Sequence, residues 1–291
     1  MRRIAELFKI RQTPIISFEI FPPRTPEGEK ALFEHGLPEM VELRPAYFSV
    51  TYGAGGSTQA ETVELVQRLA QDYNANVVAH LTCIEATKSK ITELLQTYQR
   101  IGCVNILALR GDPPRDAQEK IFKSDFKYAI DLVRFIKATG DFCVGVAGFP
   151  EGHPECQGGK HINWQHLIQK IEAGAEFVIT QLFFDNRDYF EFAEFLSRQG
   201  IKVPIIPGII PITSAKQIFR FSELCGARIP DKIKGALERF GEKDDEVTRF
   251  GTDYAISQCS ELINAGVPGL HFYTLNRVEP TRTILQTLGF V

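Results

Sequence analysis

Residues 17–24 read Ser-Phe-Glu-Ile-Phe-Pro-Pro-Arg, an apolar run that contains one acid and ends at two prolines. Together with the β-branched residues before it, the run predicts a short buried strand over 15–21. Pro22 and Pro23 end this strand, because proline donates no ladder hydrogen bond and restricts the residue before it. Glu19 is therefore predicted to lie near the carboxyl end of an apolar strand.

Glu19 allows two interpretations. Burial disfavours the charged form of a carboxyl group and so raises its pKa, which suits a general acid at neutral pH. The alternative is a buried glutamate paired with a structural arginine or lysine, since structural ion pairs also shift pKa values. The stretch alone leaves both interpretations open.

Short apolar runs and longer amphipathic segments alternate along the chain. Strands are predicted over 15–21, 47–51, 76–81, 105–109, 143–147, 177–182, 203–207 and 270–273. Helices are predicted over 27–43, 58–73, 88–101, 125–139, 164–173, 189–199, 214–224, 245–265 and 282–287. This alternation predicts an α/β fold with a parallel sheet, and its regular repetition favours a single (β/α)8 TIM barrel over 1–291. A doubly wound open sheet is the alternative, but no GxGxxG motif follows the first strand.

The bulk composition restricts the class of protein. The chain has 291 residues, of which 44% are hydrophobic and 24% charged, as in ordinary soluble enzymes. A net charge of -3 disfavours a nucleic-acid-binding protein. The six cysteines have no CxxC or Cys/His spacing, which predicts reduced thiols in a cytoplasmic protein. We find neither a signal peptide nor an apolar stretch that would span a membrane.

Polar and Gly/Pro-rich segments follow the predicted strands, where a (β/α)8 barrel carries its chemistry. Arg110-Gly111-Asp112 suits a planar or phosphate ligand, although an Asp helix cap with an Arg partner is equally compatible. Residues 53–58 could cradle a phosphate but lack the Walker lysine, so an N-capping turn is the simpler interpretation. His80 is by itself more typical of a hydrogen-bonded structural group. Histidines 153, 161 and 166 match no zinc spacing, so no metal site is expected.

Several of these segments together resemble the methylenetetrahydrofolate reductase family. The matching motifs occur in order over nearly the whole chain, at residues 17–24, 49–54, 80–83, 108–112, 149–155, 180–185 and 271–277. The resemblance implies a (β/α)8 barrel with non-covalent FAD that reduces 5,10-methylenetetrahydrofolate to 5-methyltetrahydrofolate by ping-pong hydride transfer from NADH or NADPH. Such a protein is a cytoplasmic oxidoreductase of one-carbon metabolism that supplies methyl groups for methionine synthesis.

The resemblance also implies roles for individual residues. Glu19 matches the general acid that protonates the folate N10, and Asp112 matches the aspartate that holds the pterin beside the flavin. The negative charge of Asp112 would also disfavour the anionic reduced flavin. The remaining positions that match substrate contacts are Gln181, Gln217, Phe221 and Arg277.

A larger set of positions matches FAD contacts of the family. They are Thr51, Tyr52, Ala54, His80, Arg110, Gly111, Asp112, Ala129, Phe149, His153, Asn163, His166 and Lys170. Asn163 stands where the family commonly has aspartate, so one ribose hydrogen bond is expected to weaken. Phe149 replaces a frequent tyrosine but keeps a surface for stacking. We therefore expect FAD binding to persist.

By analogy with the family we expect a homo-oligomer of the compact bacterial type, without a carboxyl-terminal regulatory domain. Three rivals differ in function: a barrel reduced by a partner protein, a non-catalytic folate- or flavin-binding barrel, and a pterin-using methyltransferase. Glu19, Asp112 and Gln181 together favour the reductase over the non-catalytic barrel, and the scattered cysteines disfavour the methyltransferase. NADH and NADPH both stay open as donors, since no 2′-phosphate pocket is recognisable.

Overall fold

The computed structural model describes residues 1–10, 13–23, 25–53, 59–111 and 124–291. In these ranges every strand pairs in parallel with its neighbours, in the order β7-β6-β5-β4-β3-β2-β1-β9-β8. The strands are β1 Ile15–Ile20, β2 Tyr47–Val50, β3 Val77–Thr82, β4 Asn105–Leu109, β5 Cys143–Gly148, β6 Phe177–Thr180, β7 Ile205–Ile206, β8 Gly208–Ile209 and β9 Gly269–Tyr273.

The first and last strands in this order, β7 and β8, are halves of one extended segment that Pro207 interrupts. The first half pairs with β6 and the second half pairs with β9. The segment therefore joins the two sides of the sheet and closes it into a barrel. The predicted (β/α)8 TIM barrel is confirmed, and the open sheet is wrong.

Helices follow the strands around the barrel. They are α1 Ile4–Ile10, α2 Pro26–Ala31, α3 Leu37–Glu42, α4 Gln59–Gln71, α5 Lys88–Ile101, α6 Ala129–Thr139, α7 Gly159–Glu172, α8 Asn186–Arg198, α9 Ala215–Cys225, α10 Asp231–Phe240, α11 Asp244–Asn264 and α12 Glu279–Thr287. A π-helical turn, Leu32–Gly36, joins α2 to α3. No helix in the described ranges has both the length and the apolar character needed to cross a membrane.

Helix α5 illustrates how the sequence specifies this outer layer. Its buried residues Ile91, Leu94, Leu95 and Tyr98 lie at the spacing of one helical face. The Thr87 side chain accepts a hydrogen bond from the Lys90 backbone N–H and so begins the helix. Gly102, in the left-handed conformation at φ 83°, ends it. The predicted bounds of this helix are confirmed.

The barrel interior is apolar at its amino-terminal end and polar further up. The lower part packs α1 against inward-facing side chains that include Ile15, Tyr47 and Val78. The buried polar residues Ser17, Glu19, Ser49, His80 and His271 come from strands β1, β2, β3 and β9. A closed lower end with polar groups above it places the chemistry near the carboxyl ends of the strands.

The structure corrects several predicted bounds. The helix predicted over 164–173 begins at Gly159, five residues earlier. The sequence did not indicate this start, because the glycines at 158–159 are poor helix formers. The helix predicted over 27–43 is interrupted by the π-helical turn. The short α1 and the later α10 were not predicted. Both depend on packing against the barrel or its neighbours more than on a long amphipathic pattern.

Candidate active site

Glu19 lies inside the barrel between two imidazoles. Its residue is 8% exposed. Glu19 Oε2 is 3.8 Å from His80 Nε2 and 3.9 Å from His271 Nε2. Each ring is in turn held by a serine: Ser49 Oγ is 2.6 Å from His80 Nε2, and Ser17 Oγ is 2.9 Å from His271 Nδ1. The five side chains form one buried polar cluster, here called the acid cluster.

The strand register explains why these side chains meet. Successive residues of a strand point to opposite faces, so Ser17 and Glu19 share the inner face of β1. The parallel ladders pair Ser17 with His271 and Glu19 with Ser49. His80 comes from the next strand along, β3. The side chains of the acid cluster therefore lie on neighbouring strands at one level of the barrel.

Permanent positive charge is absent from the described surroundings of Glu19. Among the described residues, no lysine or arginine lies within ion-pair distance of its carboxylate. Burial lowers the pKa of His80 to about 4, and this outweighs the opposing effect of the Glu19 charge. His80 is therefore neutral at pH 7. The described structure does not favour the structural Arg or Lys partner that the sequence left open.

The low pKa of His80 predicts acid sensitivity. Unfolded histidine binds a proton near pH 6.5, whereas folded His80 does so only near pH 4, so stability is lost as the pH falls through this window. Between pH 7.5 and pH 5, His80 should cost roughly 2 kcal/mol of unfolding free energy. Urea unfolding of the parent and of His80→Gln at both values checks this. Equal losses in the two proteins would contradict it.

The loops after β4 and β5 carry several positions expected to contact FAD. The Arg110 guanidinium forms an ion pair with Glu155, which ties the two loops together. The rings of Phe149 and His153 make an edge contact with centroids 4.8 Å apart. Trp164 Nε1 donates a hydrogen bond of 2.8 Å to the Phe149 carbonyl and fixes this loop against α7. An aromatic surface and a cation thus lie on connected loops.

Helix α7 presents Asn163, His166 and Lys170 at positions i, i+3 and i+7 of one face. Lys170 Nζ donates a hydrogen bond of 2.8 Å to the Ala147 carbonyl at the end of β5. Burial lowers the pKa of Lys170 to about 8. Within the described ranges no carboxylate pairs with this ammonium group. A half-buried lysine without a carboxylate partner among the described residues is suited to an anionic ligand.

Other expected cofactor positions lie at neighbouring strand ends. Thr51 and Tyr52 follow β2, and the Tyr52 hydroxyl donates to Gln59 Oε1 at 3.1 Å. Ala129 begins α6 and is half-buried. Gly111 has φ 79°, and a Cβ there would lie 2.9 Å from the Thr82 Cβ, so the backbone approaches β3 as only glycine permits. Ala54, Asp112 and Arg24 lie outside the described residues.

The expected substrate positions lie on the other side of the same barrel end. Gln181 follows β6, and its Oε1 accepts a hydrogen bond of 2.9 Å from the Leu182 N–H. Gln217 and Phe221 lie one turn apart on α9, with Gln217 Oε1 3.4 Å from the Thr213 hydroxyl. Arg277 is exposed and shares the lining of a cavity of about 460 Å³ with Thr213. The structure thus connects Gln217 with Arg277 through Thr213.

Sequence reasoning missed part of this site. It named Glu19 and His80 but gave no role to His271, Ser17 or Ser49, which complete the acid cluster. The available signal was a set of polar residues at alternating positions within strands that are otherwise apolar. It also gave no role to Asn276, whose side chain bonds the Phe21 backbone.

Comparison with known proteins identifies the family. The family model described as methylenetetrahydrofolate reductase matches residues 3–289. The chain belongs to the methylenetetrahydrofolate reductase family. The chain is 37% identical over 277 residues to 5,10-methylenetetrahydrofolate reductase of Escherichia coli, covering 94% of this chain and 90% of the relative. The resemblance drawn from the motifs is confirmed.

Family members differ in length. The chain is also 37% identical over 287 residues to methylenetetrahydrofolate reductase (NADH) 1 of Zea mays, where the match covers 94% of this chain but only 48% of the relative. The chain therefore spans about half the length of that plant relative. A solved structure of an uncharacterized Clostridium thermocellum protein, described as binding two copies of 5-methyl-5,6,7,8-tetrahydrofolic acid, has a TM-score of 0.65 at 16% identity. That match covers 97% of this chain and 96% of the other, and it supports the barrel fold.

Proposed function

We propose that this chain is an FAD-dependent oxidoreductase that reduces 5,10-methylenetetrahydrofolate to 5-methyltetrahydrofolate with NADH or NADPH. The family match over residues 3–289 supports the reaction. The observation that carries it furthest is Glu19, an acid at the carboxyl end of β1 that faces two imidazoles and, among the described residues, no lysine or arginine. In this role the protein supplies methyl groups for methionine synthesis, as a cytoplasmic homo-oligomer.

The residues present fit an FAD group. The half-buried Lys170 offers an ammonium group to an anionic part of the cofactor, and Gly111 allows close backbone approach. Phe149 and His153 offer a ring surface on the β5 loop. We propose the complete set from the resemblance as the residues that would hold FAD without a covalent bond. Bound FAD would accept a hydride from the nicotinamide and donate one to the folate.

Glu19 is proposed to act on the folate as general acid. Its proton goes to N10, the bond between N10 and the bridging carbon breaks, and the electron pair of that bond stays on N10. The bridging carbon is left as an N5 iminium carbon, which becomes the N5 methyl group on receiving a hydride. General acids of this type contribute about 10² to 10⁴-fold to a rate.

The substrate positions are proposed to bind both planar substrates in turn. Gln181 and Phe221 would contact the nicotinamide and then the pterin at one face, so the two substrates exclude each other. Gln217 and Arg277 would hold the distal part of the folate, with the Arg277 guanidinium paired to the carboxylate of the glutamate tail. From the resemblance, Asp112 would hold the pterin edge. Alternate occupancy of one face requires ping-pong kinetics.

Steady-state kinetics test this proposal. With purified protein, NADH or NADPH and methylenetetrahydrofolate, we expect 5-methyltetrahydrofolate as product and parallel lines in double-reciprocal plots. Intersecting lines would contradict alternate occupancy of one face. No folate turnover with either nucleotide would contradict the proposed function itself.

A further inference from the structure

Asn276, in the segment that follows β9, joins the end of that strand to the end of β1. The Phe21 N–H donates to Asn276 Oδ1 at 2.9 Å, and Asn276 Nδ2 donates to the Phe21 carbonyl at 2.9 Å. This paired contact, here called the amide clip, resembles the bonding of a neighbouring strand. The last ladder pair between β1 and β9 is Glu19 with Tyr273. The amide clip therefore extends the pairing two residues beyond Glu19.

A second contact ties the same segment to the backbone of Glu19. The Thr274 hydroxyl donates a hydrogen bond of 2.7 Å to the Glu19 carbonyl. The Asn276 N–H in turn donates to Thr274 Oγ1 at 3.2 Å. The backbone of Glu19 is thus held by Thr274, directly after β9, and the backbone of Phe21 is held by the amide clip.

The backbone of the segment adopts a conformation that needs such support. Leu275 has φ 52° and Asn276 has φ 60°, so two successive residues other than glycine are left-handed. Asparagine tolerates this region, but leucine rarely enters it. Such strain persists only where surrounding contacts over-determine the conformation, and it clusters at functional sites. The turn is closed by a hydrogen bond of 2.9 Å from the Arg277 N–H to the Thr274 carbonyl.

This turn sets the position of Arg277. Asn276 and Arg277 both line the cavity of about 460 Å³, together with His35 and Glu39 from the region of the π-helical turn. Glu19 lies two residues before one partner of the amide clip, and Arg277 directly follows the other. The Asn276 side chain therefore links the backbone near the acid Glu19 to the backbone next to the cation Arg277.

We infer that Asn276 is a positioning residue that holds the acid Glu19 and the folate-binding cation Arg277 in one geometry. The inference rests on the proposed function, because it assigns Arg277 to the folate tail and Glu19 to N10. Its consequence is specific: loss of the amide clip should impair the folate half of the reaction and spare reduction by the nucleotide.

Two substitutions separate the amide clip from the strain of the turn. Asn276→Gly keeps the left-handed conformation at no steric cost and removes the carboxamide. Asn276→Asp keeps an acceptor for the Phe21 N–H but sets a carboxylate oxygen against the Phe21 carbonyl. We expect kcat/KM for methylenetetrahydrofolate to fall by about 10 to 100-fold in both, since a displacement on the order of 1 Å has effects of that size. Affinity for 5-methyltetrahydrofolate, measured by calorimetry, should fall about 10-fold with Arg277 displaced.

Asn105 provides a matched control at the opposite end of the barrel. In the part of the chain that the structure describes, its carboxamide also bonds only backbone groups: it accepts from the Ile4 N–H at 2.9 Å and donates to the Arg2 and Val77 carbonyls at 3.0 and 3.1 Å. Asn105→Ala should lower the melting temperature and leave the KM for folate and the affinity for 5-methyltetrahydrofolate unchanged.

The outcomes are distinguishable. A larger folate KM and weaker 5-methyltetrahydrofolate binding in the Asn276 variants, with unchanged nucleotide oxidation by an artificial acceptor, would support the inference. Parental values in Asn276→Gly, or equal losses in Asn105→Ala, would overturn it while the proposed function stands. A parent protein that turns over no folate would overturn the proposed function first.

Discussion

Replacing Glu19 with glutamine is expected to lower the rate of folate reduction by about 10² to 10⁴-fold. Glutamine has nearly the same shape but cannot release a proton to N10. In the described structure no lysine or arginine forms an ion pair with the Glu19 carboxylate. The substitution therefore leaves no such cation unpaired there. Because His80 is neutral at pH 7, the substitution also leaves no unpaired positive charge on its imidazole ring. The loss should therefore reflect chemistry and not a collapsed site.

Separate half-reactions give the measurement. Single-turnover mixing of reduced protein with methylenetetrahydrofolate should be slow in Glu19→Gln, whereas oxidation of NADH or NADPH with an artificial acceptor should keep the parental rate. Glu64→Gln is a matched control, because the one ion pair of Glu64 within the described ranges is with Arg68 on the exposed face of α4. A Glu19→Gln protein that reduces folate at the parental rate would exclude Glu19 as the acid.

Replacing Gly208 with alanine is expected to destabilise the whole barrel. A Cβ at Gly208 would lie 2.3 Å from the Thr180 carbonyl oxygen and 2.6 Å from Tyr273 Cε2. Neither atom is at the end of a flexible side chain, and the Tyr273 hydroxyl is also bonded to that carbonyl at 2.6 Å. Since β8 closes the barrel against β9, the strands must separate to admit the methyl group. We expect a loss of about 2–4 kcal/mol in unfolding free energy.

Gly235→Ala is the matched control for this prediction. Gly235 lies within α10, and a Cβ there would meet no atom within 4 Å. Alanine should stabilise this helix by about 0.5–1 kcal/mol, because glycine carries a larger conformational entropy cost. Urea unfolding of both variants provides the comparison. If Gly208→Ala matched the parent in stability, β6, β8 and β9 could not be packed as tightly as described.

The sequence predicted the barrel because short, mostly apolar strands alternate regularly with amphipathic helices. Predicted and observed bounds agree for β4 and α5, where the apolar pattern and the capping residues coincide. One strand is predicted over 203–207, whereas the structure has two short strands, Ile205–Ile206 and Gly208–Ile209, whose different partners depend on barrel closure. No local pattern contains that information, because pairing partners are set by residues far away in the chain.

The site was predictable at the level of single residues and not of their contacts. Glu19 stood out because an acid in an apolar run needs a reason to be there. The approach of His80 and His271 to the same oxygen depends on strand register, which the sequence does not contain. The contact between Asn276 and Phe21 likewise joins residues 255 positions apart. Such pairings arise only when the barrel closes.

Anaerobic spectroscopy of the purified protein tests the central claim most directly. We predict a yellow protein whose flavin absorption is bleached by NADH or NADPH and restored by methylenetetrahydrofolate, with the restoration slowed by about 10² to 10⁴-fold in Glu19→Gln. A protein without flavin absorption, or one whose colour returns with folate at the same rate in Glu19→Gln as in the parent, would contradict the account.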